Sequence, residues 1–135
     1  RMSVTEVKSP RFRQGLATRR AVLSDPYVDR VEAGITEFDA PFQTMITEAA
    51  WGHLWSREDW SKRQRSIVTI ALLAALGHHE EMAMHIRATA RTGATEADIR
   101  EALLHVAIYA GVPTANSAFR IAKQVLAELA EEKPA

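Results

Sequence analysis

The chain contains no cysteine. That removes disulfide frameworks, thiolate metal sites and every mechanism that runs through a thiol, and it suits a cytoplasmic protein. Net charge is lacking too: 17 Lys and Arg stand against 17 Asp and Glu. No global field therefore selects nucleic acid, an anionic membrane or an acidic partner, and charge recognition has to be local. Long hydrophobic runs are missing. The longest charge-free apolar segment, residues 66–77, falls short of the about 20 residues a membrane span requires. The opening RMSVTEVKSPRF has no basic-then-apolar leader pattern, and Arg1 ahead of Met2 reads as a residue left over from expression. There is no internal repeat, no low-complexity tract and no linker rich in Gly, Ser or Pro, and the tail AEEKPA reads as a fraying end.

What is present suits one all-α domain. At 135 residues and 47% hydrophobic content, the chain can bury roughly 65 to 70% of its unfolded surface around a single core. Residues 1–12 are set apart as an N-terminal extension and 13–130 as the helical domain. Strand signals are weak, whereas helix punctuation recurs from end to end. Ser24-Asp25-Pro26 and Asp39-Ala40-Pro41 each read as a cap followed by a helix-opening proline. The second precedes PFQTMITEAAWGHLW, which reads as one helix. Ser61 with Gln64 forms a capping box before an apolar helix that Gly77 closes. Thr95 with Asp98 caps ADIREALLHVAIYAG, and Gly111 ends it before Pro113 opens the last helix. There Ala118, Phe119, Ala122, Val125, Leu126 and Leu129 recur at three- and four-residue spacing. With 13–23 also helical, about seven segments pack as a bundle.

Chemistry concentrates in GHHEEMAMHIR, residues 77–87. If this stretch is helical, His78, Glu81 and His85 fall at i, i+3 and i+7 and share a face, while His79 and Glu80 point to solvent. Three readings stand for the shared set. A metal site from the three is geometrically open, although no two histidines are four apart as in the familiar helical zinc signature. An acid/base pair needs only an imidazole and a carboxylate to orient it, which Glu81 and His85 provide at i and i+4. A plain helix-stabilising pair contributes roughly 0.2 to 0.5 kcal/mol.

Glu48 sits among Ile46, Ala49, Ala50, Trp51, Leu54 and Trp55, where partial burial would keep a carboxyl protonated; the competing reading is an exposed position on an amphipathic helix. His105 and Tyr109 stand in a helix apolar on almost every side; a core or interface position competes with catalysis for His105, and core packing competes with a role at a ligand for Tyr109. Arg19 and Arg20 are candidate carboxylate anchors, but neighbours on a helix face about 100° apart, so both do not serve one site. The alternative for either is ordinary surface charge. Of the three tryptophans, Trp51 is the one read as lining a pocket, with Trp55 and Trp60 read as core.

Taken together, GLATRRAVLSDPYVDR, PFQTMITEAAWGHLW and the stretch RQRSIVTIALLAALGHHEEMAMHIRATARTGATEADIREALLHVAIYAGVPTANSAF resemble the 4-carboxymuconolactone decarboxylase family. The likeness runs over residues 15–126. That family is similar in fold to alkylhydroperoxidase D, an all-helical oligomer. In its redox branch a C-x-x-C pair precedes a histidine by seven and four residues. Counting back from His85 lands on His78 and Glu81, so thiol peroxidase chemistry is excluded and an acid/base face takes its place.

The resemblance implies conversion of 4-carboxymuconolactone to 3-oxoadipate enol-lactone and carbon dioxide, a step in protocatechuate breakdown by the 3-oxoadipate route. It implies no cofactor and no metal. It also implies a small anionic lactone as partner, a homo-oligomer (trimer or hexamer), and neither nucleic acid nor membrane. On this reading the catalytic set is His85, Glu48, Glu81 and His78, and the substrate-binding candidates are Trp51, Tyr109 and one of the two neighbours Arg19 and Arg20. Related decarboxylases or hydrolases of another lactone, and a non-catalytic small-acid-binding oligomer, remain alternatives because fold does not fix function.

Overall fold

The computed structural model describes residues 7–132. Seven α-helices and one π-helical stretch account for the regular structure, and the described residues contain no strand. The contacts divide the chain into two compact units at the junction of Asp59 and Trp60.

The first unit holds α1 (Pro10–Leu23), α2 (Asp25–Ala33), α3 (Ala40–Ile46) and the π-helix (Thr47–Leu54). Two of its three α-helices start by one rule. Ser9 accepts from the Phe12 amide with Pro10 next, and Ser24 accepts from the Tyr27 amide with Pro26 in the first turn. α1 therefore begins three residues ahead of position 13, inside the stretch set apart as an extension. Ser24 ends α1 and starts α2 at φ 91°, a left-sided conformation that strains any residue with a Cβ. α3 keeps Pro41 in its first turn but lacks the expected cap, because Asp39 accepts from the Thr36 amide rather than from its own helix.

The stretch expected as one helix from Pro41 to Trp55 departs from the α pattern at Thr47. The Thr47 hydroxyl donates to the Gln43 carbonyl at 2.7 Å, a back-bond that loosens helices, and the following turns widen until the Trp55 amide reaches the Ala50 carbonyl at 2.8 Å. Such π segments concentrate at functional sites. The widened turn packs on α1 through two glycines. A Cβ on Gly15 would stand 2.0 Å from the Thr47 carbonyl oxygen, and one on Gly52 would stand 2.5 Å from that of Arg11, so backbone meets backbone there.

The second unit holds α4 (Lys62–Leu76), α5 (His79–Thr92), α6 (Glu96–Tyr109) and α7 (Val112–Glu132). Both expected capping boxes form, Ser61 with Gln64 and Thr95 with Asp98. Gly77 ends α4 in the left-handed conformation at φ 77°, where a Cβ would be strained. The apolar core gathers Ile70 and Ala74 of α4, Met82 and Ile86 of α5, Leu103 and Val106 of α6, and Ala118 and Val125 of α7. Asp98 does double duty: it caps α6 and receives a two-point bond from Arg63 at 2.7 and 2.8 Å. Those bonds hold its carboxyl well below the usual range and tie α4 to α6.

Candidate functional site

In the second unit, α5 lays the candidate residues along one face that runs from water into the core. His78 is the residue before the helix, with no side-chain cap bond, and is exposed along with His79, Glu80 and Glu81. One turn beyond Glu81 the face turns inward, and His85 is buried at 6% exposure beside Met82 and Ile86. The polar start and the apolar middle of MAMHI produce this gradient, since residues four apart stack on one side of a helix. Burial lowers the His85 pKa to about 4 against the opposing field of Glu81. The imidazole is therefore neutral at pH 7, a hydrogen-bond donor at one nitrogen and an acceptor at the other. Among the described residues no three His, Asp or Glu stand together so as to hold a metal ion.

On α6, Tyr109 differs from the core reading and His105 from the core half of its core-or-interface reading. Both are exposed, Tyr109 at 85%, and their rings stack at 6.3 Å. α6 buries Ile99, Ala102, Leu103 and Val106, which places residues 105 and 109 on the outward side.

In the first unit, Arg19 and Arg20 diverge as neighbours on a helix must. Arg20 lies in a fan of carboxylates, 3.0 Å from Asp25, 2.9 Å from Asp29 and 3.6 Å from Glu32. Arg19 turns inward, is 8% exposed, and meets neutral groups: it donates to the Gln43 amide oxygen at 3.1 Å and the Thr47 hydroxyl at 3.4 Å. Its buried Nε has no hydrogen-bond partner among the described residues. Burial pushes the guanidinium below its ordinary range, with Tyr27 and Glu32 opposing. A buried cation held by neutral partners has capacity left for an anion.

Glu48 is half-buried at the start of the π-helix and accepts a 2.5 Å bond from the Ser9 hydroxyl. Trp51 is buried three residues on, its ring 5.2 Å from that of Trp55. Trp55 is buried as expected, whereas Trp60 is 46% exposed and does not join a core. Sequence reasoning missed Ser9, Gln43 and Thr47 as the groups that hold Glu48 and Arg19. Ser9-Pro10 repeats the cap-then-proline pattern of Ser24-Asp25-Pro26, and Gln43 with Thr47 falls at i and i+4. Both signals were legible.

Comparison with known proteins decides the family. The model of the carboxymuconolactone decarboxylase family matches residues 40–124. The 4-carboxymuconolactone decarboxylase of Acinetobacter baylyi is 40% identical over 119 residues, covering 88% of this chain and 89% of that protein. The chain belongs to the carboxymuconolactone decarboxylase family. Another relative, the nitrosuccinic acid decarboxylase of Metarhizium robertsii, is 34% identical over 121 residues, covering 90% of this chain and 85% of that protein. A 42-residue match at 45% identity to a 4-carboxymuconolactone decarboxylase of Pseudomonas putida spans 31% of the chain and 88% of that sequence. The family match spans Glu48, Trp51, His85 and Tyr109 and leaves Arg19 and Arg20 outside it.

Proposed function

We propose that this protein is a 4-carboxymuconolactone decarboxylase, which releases carbon dioxide and forms 3-oxoadipate enol-lactone without a cofactor, in the cytoplasmic breakdown of protocatechuate. The observation that carries the reading is His85: a neutral, buried imidazole one helical turn inside an exposed carboxylate.

The substrate supplies its own electron sink. When the bond to the departing carboxylate breaks, its electron pair moves through the ring double bond to the lactone carbonyl oxygen. A proton then adds to the ring carbon beside that carbonyl. The protein has to stabilise the oxygen, deliver the proton and hold the carboxylate that stays. A neutral imidazole suits the first task, because a fixed N–H aimed at a developing oxyanion in a dry site contributes on the order of 10²–10³ in rate. His85 takes this role. Glu81 orients it and His78 stands behind. Glu48, held by Ser9, passes the proton. Arg19, rather than the neutralised Arg20, binds the retained acetate, and Trp51 gives the departing carboxylate a poorly hydrated wall that favours its loss as neutral carbon dioxide. Tyr109 is the remaining candidate for contact with the lactone.

The chain acts as a trimer or hexamer on this reading. Support comes from α6, where Leu104, Ile108 and Tyr109, with Val112 just beyond, are 46 to 85% exposed, an apolar face suited to a second copy. Light scattering that returned a 15.0 kDa monomer at micromolar concentration would overturn the oligomer.

Proton NMR of the pure protein with 4-carboxymuconolactone generated in situ, chelator present, tests the activity. Enol-lactone forming faster than the uncatalysed background supports it; no product from folded protein rejects it. The Metarhizium relative favours a second reading, decarboxylation of another small acid. Nitrosuccinic acid also carries a carboxyl beside an oxygen-ended electron sink and keeps a second carboxyl, so it makes the same demands on a donor and a cation. The same assay with that acid separates the two.

A further inference from the structure

Two surface features fit one another, and the reaction uses neither. The first is the turn at residues 36–39. The Thr36 amide donates to Asp39 Oδ1 at 2.7 Å, the Phe38 amide to Thr36 Oγ1 at 3.3 Å, and the Ala40 amide to the Thr36 carbonyl at 2.9 Å. This bracing holds the Phe38 ring in water at 95% exposure. Phe42 and Met45 follow at i+4 and i+7, 57% and 64% exposed. Three apolar anchors at that spacing form the recognition face of a segment that lies in a groove. Glu37 and Asp39 flank the leading ring.

The second is an open groove of about 620 Å³ along α6 and α7, lined by the apolar Leu103, Phe119 and Leu126 and by four charged residues, three basic (Arg100, Arg120 and Lys123) and one acidic (Glu96). Arg100 shares its charge with Glu96 at 3.3 Å, while Arg120 and Lys123 are exposed on α7.

We propose that the acid-flanked Phe38 turn of one copy docks in the α6–α7 groove of a second copy. Charge selects this occupant: Glu37 and Asp39 bring negative charge to a groove whose lining is net basic, and Phe38, Phe42 and Met45 supply the apolar body. A groove-to-groove contact would set Arg120 and Lys123 against cations of their own kind. A small anion would neutralise that charge and leave the three anchors in water. Turn-to-groove contact is head-to-tail, the kind that closes into a ring, and a pre-braced aromatic loses little freedom on docking. The inference rests on the oligomer proposed above and adds to the outward α6 face a second, separate surface through which copies meet.

Sedimentation velocity over a dilution series tests it with the whole chain, comparing wild type with Phe38→Ser, Glu37→Lys, Lys123→Glu and the combined Glu37→Lys/Lys123→Glu. All three positions are exposed, so helicity by circular dichroism stays at the wild-type value. Each single variant is expected to weaken association about tenfold or more, and the combined charge exchange to regain most of it. Single variants that keep the wild-type mass through the dilution overturn this surface while leaving the oligomer standing, as does a combined variant no better than its parents. A wild-type monomer at micromolar concentration overturns both.

Discussion

Gly15 of α1 lies so close to Thr47 that a Cβ on residue 15 would stand 2.0 Å from the Thr47 carbonyl oxygen. That approach sets the depth at which Arg19, one turn further along α1, meets Gln43 and Thr47. Gly15→Ala is therefore expected to push α1 off the π-helix and cost about 1–3 kcal/mol or more, read as a lower urea midpoint. Gly34→Ala is the control. Its Cβ would meet nothing nearer than 3.6 Å, and its φ of −94° suits any residue, so the midpoint should hold or rise slightly.

Replacing the buried imidazole tests the oxyanion role. His85→Ala should lower kcat by about 10²–10³, and His85→Asn, which restores an N–H donor, should lose less. Glu48→Gln should lower kcat through slower proton delivery while leaving the urea midpoint near wild type. Near-wild-type turnover in both His85→Ala and Glu48→Gln would remove these residues from the mechanism.

The pH dependence follows from the depressed His85 pKa. With the folded-state value at about 4 and the ordinary one at 6.5, the unfolded chain binds this proton first as pH falls. Stability from this group is fully present above pH 6.5 and is lost progressively between 6.5 and 4, by roughly 3 kcal/mol in all. Turnover should hold through pH 6.5 and decline toward 4 as the fold loses this stability. Glu81→Gln removes the field that favours protonation, so the His85 midpoint followed by NMR should move lower still. An upward move would contradict the assignment of that field.

The two neighbouring arginines give opposite expectations. Arg19→Gln removes a buried cation held by neutral groups, so KM for an anionic substrate should rise about tenfold or more with a smaller change in kcat. Arg19→Lys should restore little, because an ammonium lacks the planar two-point geometry. Arg20→Gln, whose guanidinium is already shared among Asp25, Asp29 and Glu32, should leave KM within about twofold, as exposed ion pairs contribute little.

Local rules made most of the helical framework legible. Ser-x-x-Gln and Thr-x-x-Asp boxes, cap-then-proline starts and a left-handed glycine act within one turn of chain, so Ser61, Thr95, Pro26, Pro41 and Gly77 mark boundaries that the structure keeps. The candidate face of α5 was legible for the same reason, since Glu81 and His85 must stack wherever residues 79–92 are helical. Depth was not legible. Spacing places His85 and His105 equally well on apolar helices, yet one is buried beside Met82 and Ile86 and the other stacks on Tyr109 in solvent.

By itself, then, the sequence determined the helices, the absence of thiol chemistry and the adjacency of the proton-handling residues, because each depends on neighbours within a few positions. Only the tertiary structure decided which charges lose their water. It turned Arg19 inward and Arg20 outward on one helix, and it opened the helix after Ile46 into a π turn against two glycines. It also drew the His85 pKa down, since desolvation comes from atoms that meet a side chain in space, often from far along the chain.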